Sequence, residues 1–101
     1  SSPDAKSSTR DFLVLAKRNS HLCGHRIGFV TSKKKIRRAV DRNRFRRVFR
    51  EYLRTGFVAP ASDIVIIARQ VPDSLRSSQF RDELHRTLTE LSKLLRAVNA
   101  G

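Results

Sequence analysis

The spacing of apolar positions along the chain predicts its elements in turn. From Arg10 to Lys17, Phe12, Val14 and Ala16 alternate with Leu13 and Leu15. That period of two predicts a strand with apolar side chains on both faces for part of its length. Asn19–Gly24 reads as a connection, and Arg26–Thr31 as a second strand. The short link between them favours an antiparallel hairpin. The period then becomes helical. At about 100° per residue, Phe45, Val48, Phe49 and Tyr52 gather on one side of a helix. Asn43, Arg46, Arg47, Arg50 and Arg54 fall on the other. Ile36 and Val40 miss the apolar stripe, so the helix is expected to start near Ala39, after an irregular basic lead-in over Ser32–Arg38. Gly56 is its stop signal.

After Pro60 the continuous apolar run Ile64–Ala68 predicts a strand buried on both faces. Val71–Ser74 breaks the chain, and Ser77 or Ser78 caps a second helix. Phe80, Leu84, Leu88, Leu91, Leu95 and Val98 recur on it as a core-facing stripe. The polar, Ser-rich Ser1–Ser8 reads as a flexible arm. Strand, strand, helix, strand, helix is an α+β order, expected as a two-layer α/β sandwich in one domain spanning residues 1–101.

Composition narrows the function. The chain carries 22 Lys and Arg against 9 Asp and Glu, a formal net charge of +13. Thr31–Arg54 alone holds Lys33, Lys34, Lys35, Arg37, Arg38, Arg42, Arg44, Arg46, Arg47, Arg50 and Arg54, with only Asp41 and Glu51 as acids. A solvated helix face with this charge would normally carry i,i+4 acid partners, and this one has almost none. Such self-repulsion calls for an anionic partner, and nucleic acid is the commonest. Arg outnumbers Lys eight to three in the block, which suits bidentate phosphate recognition. Charge alone would also suit a membrane surface, but the aromatics of this helix lie on the face a core wants, and no run approaches a membrane span. Cys23 is the only cysteine, so no intrachain disulfide can form, consistent with a reducing cytoplasm.

A catalytic site is hard to assemble from these residues. The acids are scattered, and adjacent Asp82 and Glu83 suit the start of a helix. His21, His25 and His85 lack metal-ligand spacing, and Cys23 has no evident base. The chain itself is therefore expected to be non-catalytic, with no metal or small-molecule substrate of its own. Phe12 and Phe29, on predicted strands, are candidates for stacking on unpaired bases, although core burial is the commoner role of such residues.

Lys33, Lys34, Arg37, Arg38, Ala39, Arg42, Asn43, Arg44 and Arg47 reproduce a Lys-Lys-x-x-Arg-Arg-Ala-x-x-Arg-Asn-Arg-x-x-Arg pattern. The pattern resembles the signature of the bacterial ribonuclease P protein family, with Arg46 where Lys is usual. Arg26–Phe29 before it, Asp63–Arg69 after it and the Leu-rich second helix resemble the family's flanking elements, so the likeness runs from about Thr9 to Arg96. The resemblance implies a protein cofactor for a catalytic RNA that removes the 5′ leader of precursor tRNA using magnesium ions bound by the RNA. It implies a left-handed β-α-β crossover, where general chirality favours a right-handed one. From charge and likeness together, Lys33, Lys34, Arg37, Arg38, Arg42, Arg44, Arg46, Arg47 and Arg50 are expected to contact RNA phosphates. Asn43 either bonds RNA or fixes the turn of the motif. The leader is expected along a groove by the sheet. The helix that usually precedes the family's first strand, and that partly walls this groove, has no counterpart in these residues, so the expectation for the leader is weaker than that for the docking face. The chief rival is a structural RNA-binding protein of the ribosomal type; an autonomous nuclease and a DNA-binding helix-turn-helix fit less well.

Overall fold

Six elements follow one another in the computed structural model, which describes residues 3–21, 24–55, 57, 61–72, 75 and 77–97. They are β1 (Ala5–Ser8), β2 (Phe12–Arg18), β3 (Arg26–Val30), α1 (Ala39–Thr55), β4 (Ser62–Ala68) and α2 (Ser78–Ala97). The strands form one mixed sheet in the order β1-β2-β4-β3, and both helices cover the same face of it. This is the α+β, two-layer arrangement the sequence predicts.

The sheet order corrects the expected hairpin. β2 and β3 are not neighbours, because β4 inserts between them, antiparallel to β2 and parallel to β3. The run Ile64–Ala68 is the most apolar strand, and a central place pairs both its backbone edges. β3, shorter and interrupted by Gly28, takes the sheet edge, where lost ladder bonds matter least.

The N-terminal arm is also corrected, since Ala5–Ser8 is a strand paired antiparallel with β2. Its buried side chains are only Ala5 and Ser7, too small to signal a strand by hydrophobicity, yet small enough to fit under α2. Thr9 turns the chain, its Oγ1 accepting the amides of Asp11 and Phe12 at 3.2 Å each. Asp11 is buried and anchors the end of β4, where its carbonyl accepts the Arg69 amide (2.8 Å) and its carboxylate the Gln70 side chain (2.6 Å).

Burial differs from expectation on the far face. Ile64, Ile66 and Ala68 are buried as predicted, but Val65 is 38% exposed and Ile67 only half-buried. Leu13 and Leu15 are likewise half-buried. β4 is thus covered on one face, not two: both helices pack on the side of Phe12, Val14 and Ala16.

The core centres on Phe12, whose ring meets Phe49, Phe80 and Phe45 edge-on at centroid distances of 5.1, 6.2 and 6.3 Å. α2 contributes Phe80, Leu84, Leu88, Leu91 and Leu95, all fully buried. α1 contributes Phe45, Phe49 and Leu53. Cys23, Gly56, Pro60, Asp73, Ser74 and Val98 lie outside the described residues. Among the described residues no helix is long and apolar enough to cross a membrane.

Candidate nucleic-acid interface

α1 begins where predicted, with the amides of Asp41 and Arg42 bonding the Arg38 carbonyl at 3.1 Å. Its two faces are sharply different. Phe45, Phe49 and Leu53 are buried, Val48 and Tyr52 half-buried, while Asn43, Arg47, Arg50 and Arg54 stand in solvent. These four, with Arg46 and Glu51, line one open groove along the helix.

Arg46 is held in that groove by two contacts. One Nη donates to Thr31 Oγ1 beyond the end of β3 (3.1 Å), the other to Asn43 Oδ1 (2.6 Å). Asn43 therefore helps to aim Arg46, a contact distinct from the turn-fixing role expected as its alternative to RNA binding. Arg50 lies over the Phe29 ring at 5.3 Å from the centroid, a cation–π contact that steers the guanidinium without neutralising it.

The lead-in is a formed loop. The Ser32 carbonyl accepts the amides of Lys35 (3.1 Å) and Ile36 (2.9 Å), and Ser32 Oγ accepts the Lys35 amide. Ile36 drops from this turn into the core and is fully buried. Helical spacing could not foresee that, because the residue is not helical. The anchored loop displays Lys33, Lys34, Lys35, Arg37 and Arg38 in solvent.

Two arginines of the expected set sit off the solvent-facing side of α1. Arg42 is half-buried, and its Nη1 donates to the Ile36 (2.9 Å) and Arg37 (3.1 Å) carbonyls, bracing the lead-in against α1. Its place on the helix lies within the buried arc, which explains why it points at the protein rather than outward. Arg44 occupies the opposite flank of α1, facing the start of α2.

The electrostatics are one-sided. Among the described residues no carboxylate pairs with Lys33, Lys34, Lys35, Arg37, Arg38, Arg46, Arg47, Arg50 or Arg54. The ion pairs Arg10–Asp11 (3.7 Å) and Arg26–Asp63 (3.3 Å) lie elsewhere. A dense set of unpaired guanidinium and ammonium groups on a rigid helix and an anchored loop can do one thing well: replace the counterions of a polyphosphate backbone.

The stacking candidates are corrected. Phe12 is fully buried, and Phe29 lies on the same helix-covered face, its ring against Phe49 and beneath Arg50. Alternation put Phe12 with Val14 and Ala16 on one side of its strand, but sequence did not say which side the helices cover, nor that the register brings Phe29 to that side. The open face carries Leu13, Leu15, Val65, Ile67 and Val30, in cross-strand rows that the pairing makes Lys6–Leu15–Val65–Gly28 and Ser8–Leu13–Ile67–Val30. Lys17, Asp63 and Arg26 form the next row. A Cβ at Gly28 would meet no atom within 4 Å, so the floor dips at that edge. The family likeness led to the expectation of a groove by the sheet but named none of these residues; their only signal was the apolar side chains at the alternate positions of the two central strands.

Away from these surfaces, Tyr52 Oη and His85 Nδ1 lie 2.6 Å apart and link the two helices. His25 packs on Phe57 at 5.0 Å, and burial pushes its imidazole pKa below the usual value. Among the described residues no three His, Cys, Asp or Glu side chains are grouped as metal ligands.

Comparison with known proteins supplies the family. The Ribonuclease P family model matches residues 2–92. The chain is 43% identical over 88 residues to the ribonuclease P protein component of Chromohalobacter salexigens, covering 86% of this chain and 68% of that protein. It is 42% identical over 95 residues to the counterpart from Idiomarina loihiensis, covering 92% and 74%. The solved ribonuclease P protein of Staphylococcus aureus superposes with a TM-score of 0.62 at 27% identity, over 93% of this chain and 83% of that one.

Proposed function

Because the chain belongs to the ribonuclease P protein family, we propose that it serves as the RNA-binding subunit of that endoribonuclease, assisting a catalytic RNA in removing the 5′ leader of precursor tRNA. The observation that carries this reading is the unpaired cationic surface of α1 and its lead-in. Arg47, Arg50 and Arg46 on the helix, with Lys33, Lys34, Arg37 and Arg38 on the loop, contact phosphates of the catalytic RNA. Arg42 keeps its place in the motif as the brace of that loop. The RNA and its magnesium ions perform the hydrolysis, and the protein supplies binding and orientation in the cytoplasm.

The open face of the sheet is the surface we assign to the single-stranded leader. Its apolar floor of Leu13, Leu15, Val65 and Ile67 suits unpaired bases, and Lys6, Lys17 and Arg26 at its margins suit their phosphates. Contact is expected through aliphatic side chains and backbone, since Phe12 and Phe29 are on the other face.

The test is cleavage of precursor tRNA at low magnesium by the protein alone, by a bacterial ribonuclease P RNA alone and by both together. Stimulation by the pair is expected, with no cleavage by the protein alone. Tight RNA binding without stimulation would instead favour the ribosomal-type role.

A further inference from the structure

The cleft between the Arg44 flank of α1 and the first turn of α2 is lined by Arg44, Val48, Ser77, Ser78, Phe80 and Arg81, with Leu75 beneath. Arg44 is half-buried, and its Nε is shut from solvent with no hydrogen-bond acceptor. Neither Arg44 nor Arg81 has an ion pair or hydrogen bond among the described residues. Among the described residues no carboxylate lines the cleft, and the first turn of α2 carries no acid. A desolvated guanidinium N–H without an acceptor is costly, and the same cleft is lined by a second guanidinium of the same sign. Among the described residues no ion pair offsets either.

We propose that this cleft is a second phosphate site, in which Arg44 and Arg81 clasp one phosphodiester of the RNA off the main docking face. The chemistry fits: two guanidinium forks present planar N–H pairs, the arrangement that matches a tetrahedral oxyanion, and the orphaned Arg44 Nε gains its acceptor. The apolar walls Val48, Leu75 and Phe80 keep Arg44 partly desolvated, so its bond to phosphate is stronger than one made in open water. The site extends the RNA footprint from α1 onto α2, which the sequence motif does not include. It rests on the RNA-docking reading above, and it divides the Arg-Asn-Arg motif into three tasks. Arg42 braces the loop, Asn43 aims Arg46, and Arg44 reaches across to α2.

The experiment measures binding of the full chain to a bacterial ribonuclease P RNA across a salt series, comparing wild type with Arg81→Gln, Arg44→Gln, the double variant and Arg47→Gln. Arg81 is exposed on a helix, and Gln keeps that helix. Removing one phosphate contact is expected to lower the salt slope by about one and weaken binding about fivefold at 0.15 M salt. The double variant should lose less than the product of the two single losses, as donors sharing one phosphate do. In parallel, inorganic phosphate should raise the thermal midpoint of wild type more than that of Arg81→Gln. Wild-type affinity and slope in Arg81→Gln, alongside a loss in Arg47→Gln, would overturn the proposal while leaving the docking face intact. If the phosphate effect on the midpoint alone is lost, the cleft is a free-anion site and its assignment to RNA is overturned. A null result in Arg47→Gln as well would mean that the docking reading fails, and this site with it.

Discussion

Replacing Arg42 by Lys keeps the charge and removes the fork, which separates bracing from phosphate contact. In the structure one Nη of Arg42 serves the Ile36 and Arg37 carbonyls at 2.9 and 3.1 Å. Hydrogen bonds from a charged donor contribute about 1.5–3 kcal/mol each. One of these is part-buried and the other exposed, and Lys can regain some of the interaction, so a net loss of about 1–2 kcal/mol in holding the lead-in is expected. That shifts the opening equilibrium of the loop about 5–30-fold. Limited trypsin digestion of the free protein, read by mass spectrometry at Lys33–Arg38, measures it directly. Arg42→Lys and Arg42→Gln should both be cut several times faster than wild type, while Arg47→Gln is cut at the wild-type rate. In the RNA salt series, Arg42→Lys should bind more weakly with little change of slope, because every phosphate-facing cation remains. The bracing role is wrong if Arg42→Lys matches wild type in digestion and affinity while Arg42→Gln lowers the salt slope by about one.

Phe49→Ala should destabilise the protein by about 3–5 kcal/mol in urea unfolding, since it empties a fully buried site ringed by Phe12, Phe45, Phe29 and Phe80; a loss below about 1 kcal/mol would place Phe49 outside the core. Leu15→Asp, on the half-buried open face, should weaken binding of leader-bearing precursor tRNA to the holoenzyme by about tenfold or more while sparing leaderless tRNA, as expected when a charge repels phosphate and removes apolar floor. Equal losses for both RNAs would remove the leader from that surface. His25 gives a pH signature. Burial lowers its folded pKa below 6.5, so the unfolded chain binds its proton more readily. Its neutral form therefore contributes fully above pH 6.5, and stability falls as pH drops through 6.5 toward the folded pKa. Urea midpoints of wild type and His25→Asn should converge toward acid, and a pH-independent difference would contradict this assignment.

Much was legible in the sequence because the relevant physics is local. Helix limits at Ala39 and Ser78 follow from periodicity and capping, which depend on neighbours within a turn or two. The α2 stripe needed nothing beyond its own spacing. The unbalanced charge of Thr31–Arg54, and hence a nucleic-acid partner, follows from counting residues. The phase of each strand was also legible, since Phe12, Val14 and Ala16 share a face in any extended chain.

What the sequence left open depended on contacts between distant segments. The insertion of β4 between β2 and β3 is a non-local choice, settled by which strand profits most from two paired edges. Ala5–Ser8 becomes a strand only because β2 offers an edge and α2 a roof. Which face of the sheet the helices cover decided that Phe12 is core and that Leu15 and Val65 face outward. Among arginines of one motif, identical in charge and chemistry, it is tertiary position that makes Arg42 a brace and leaves Arg47 in solvent. A side chain's task is set by what its helix face meets, and that partner lies elsewhere in the chain.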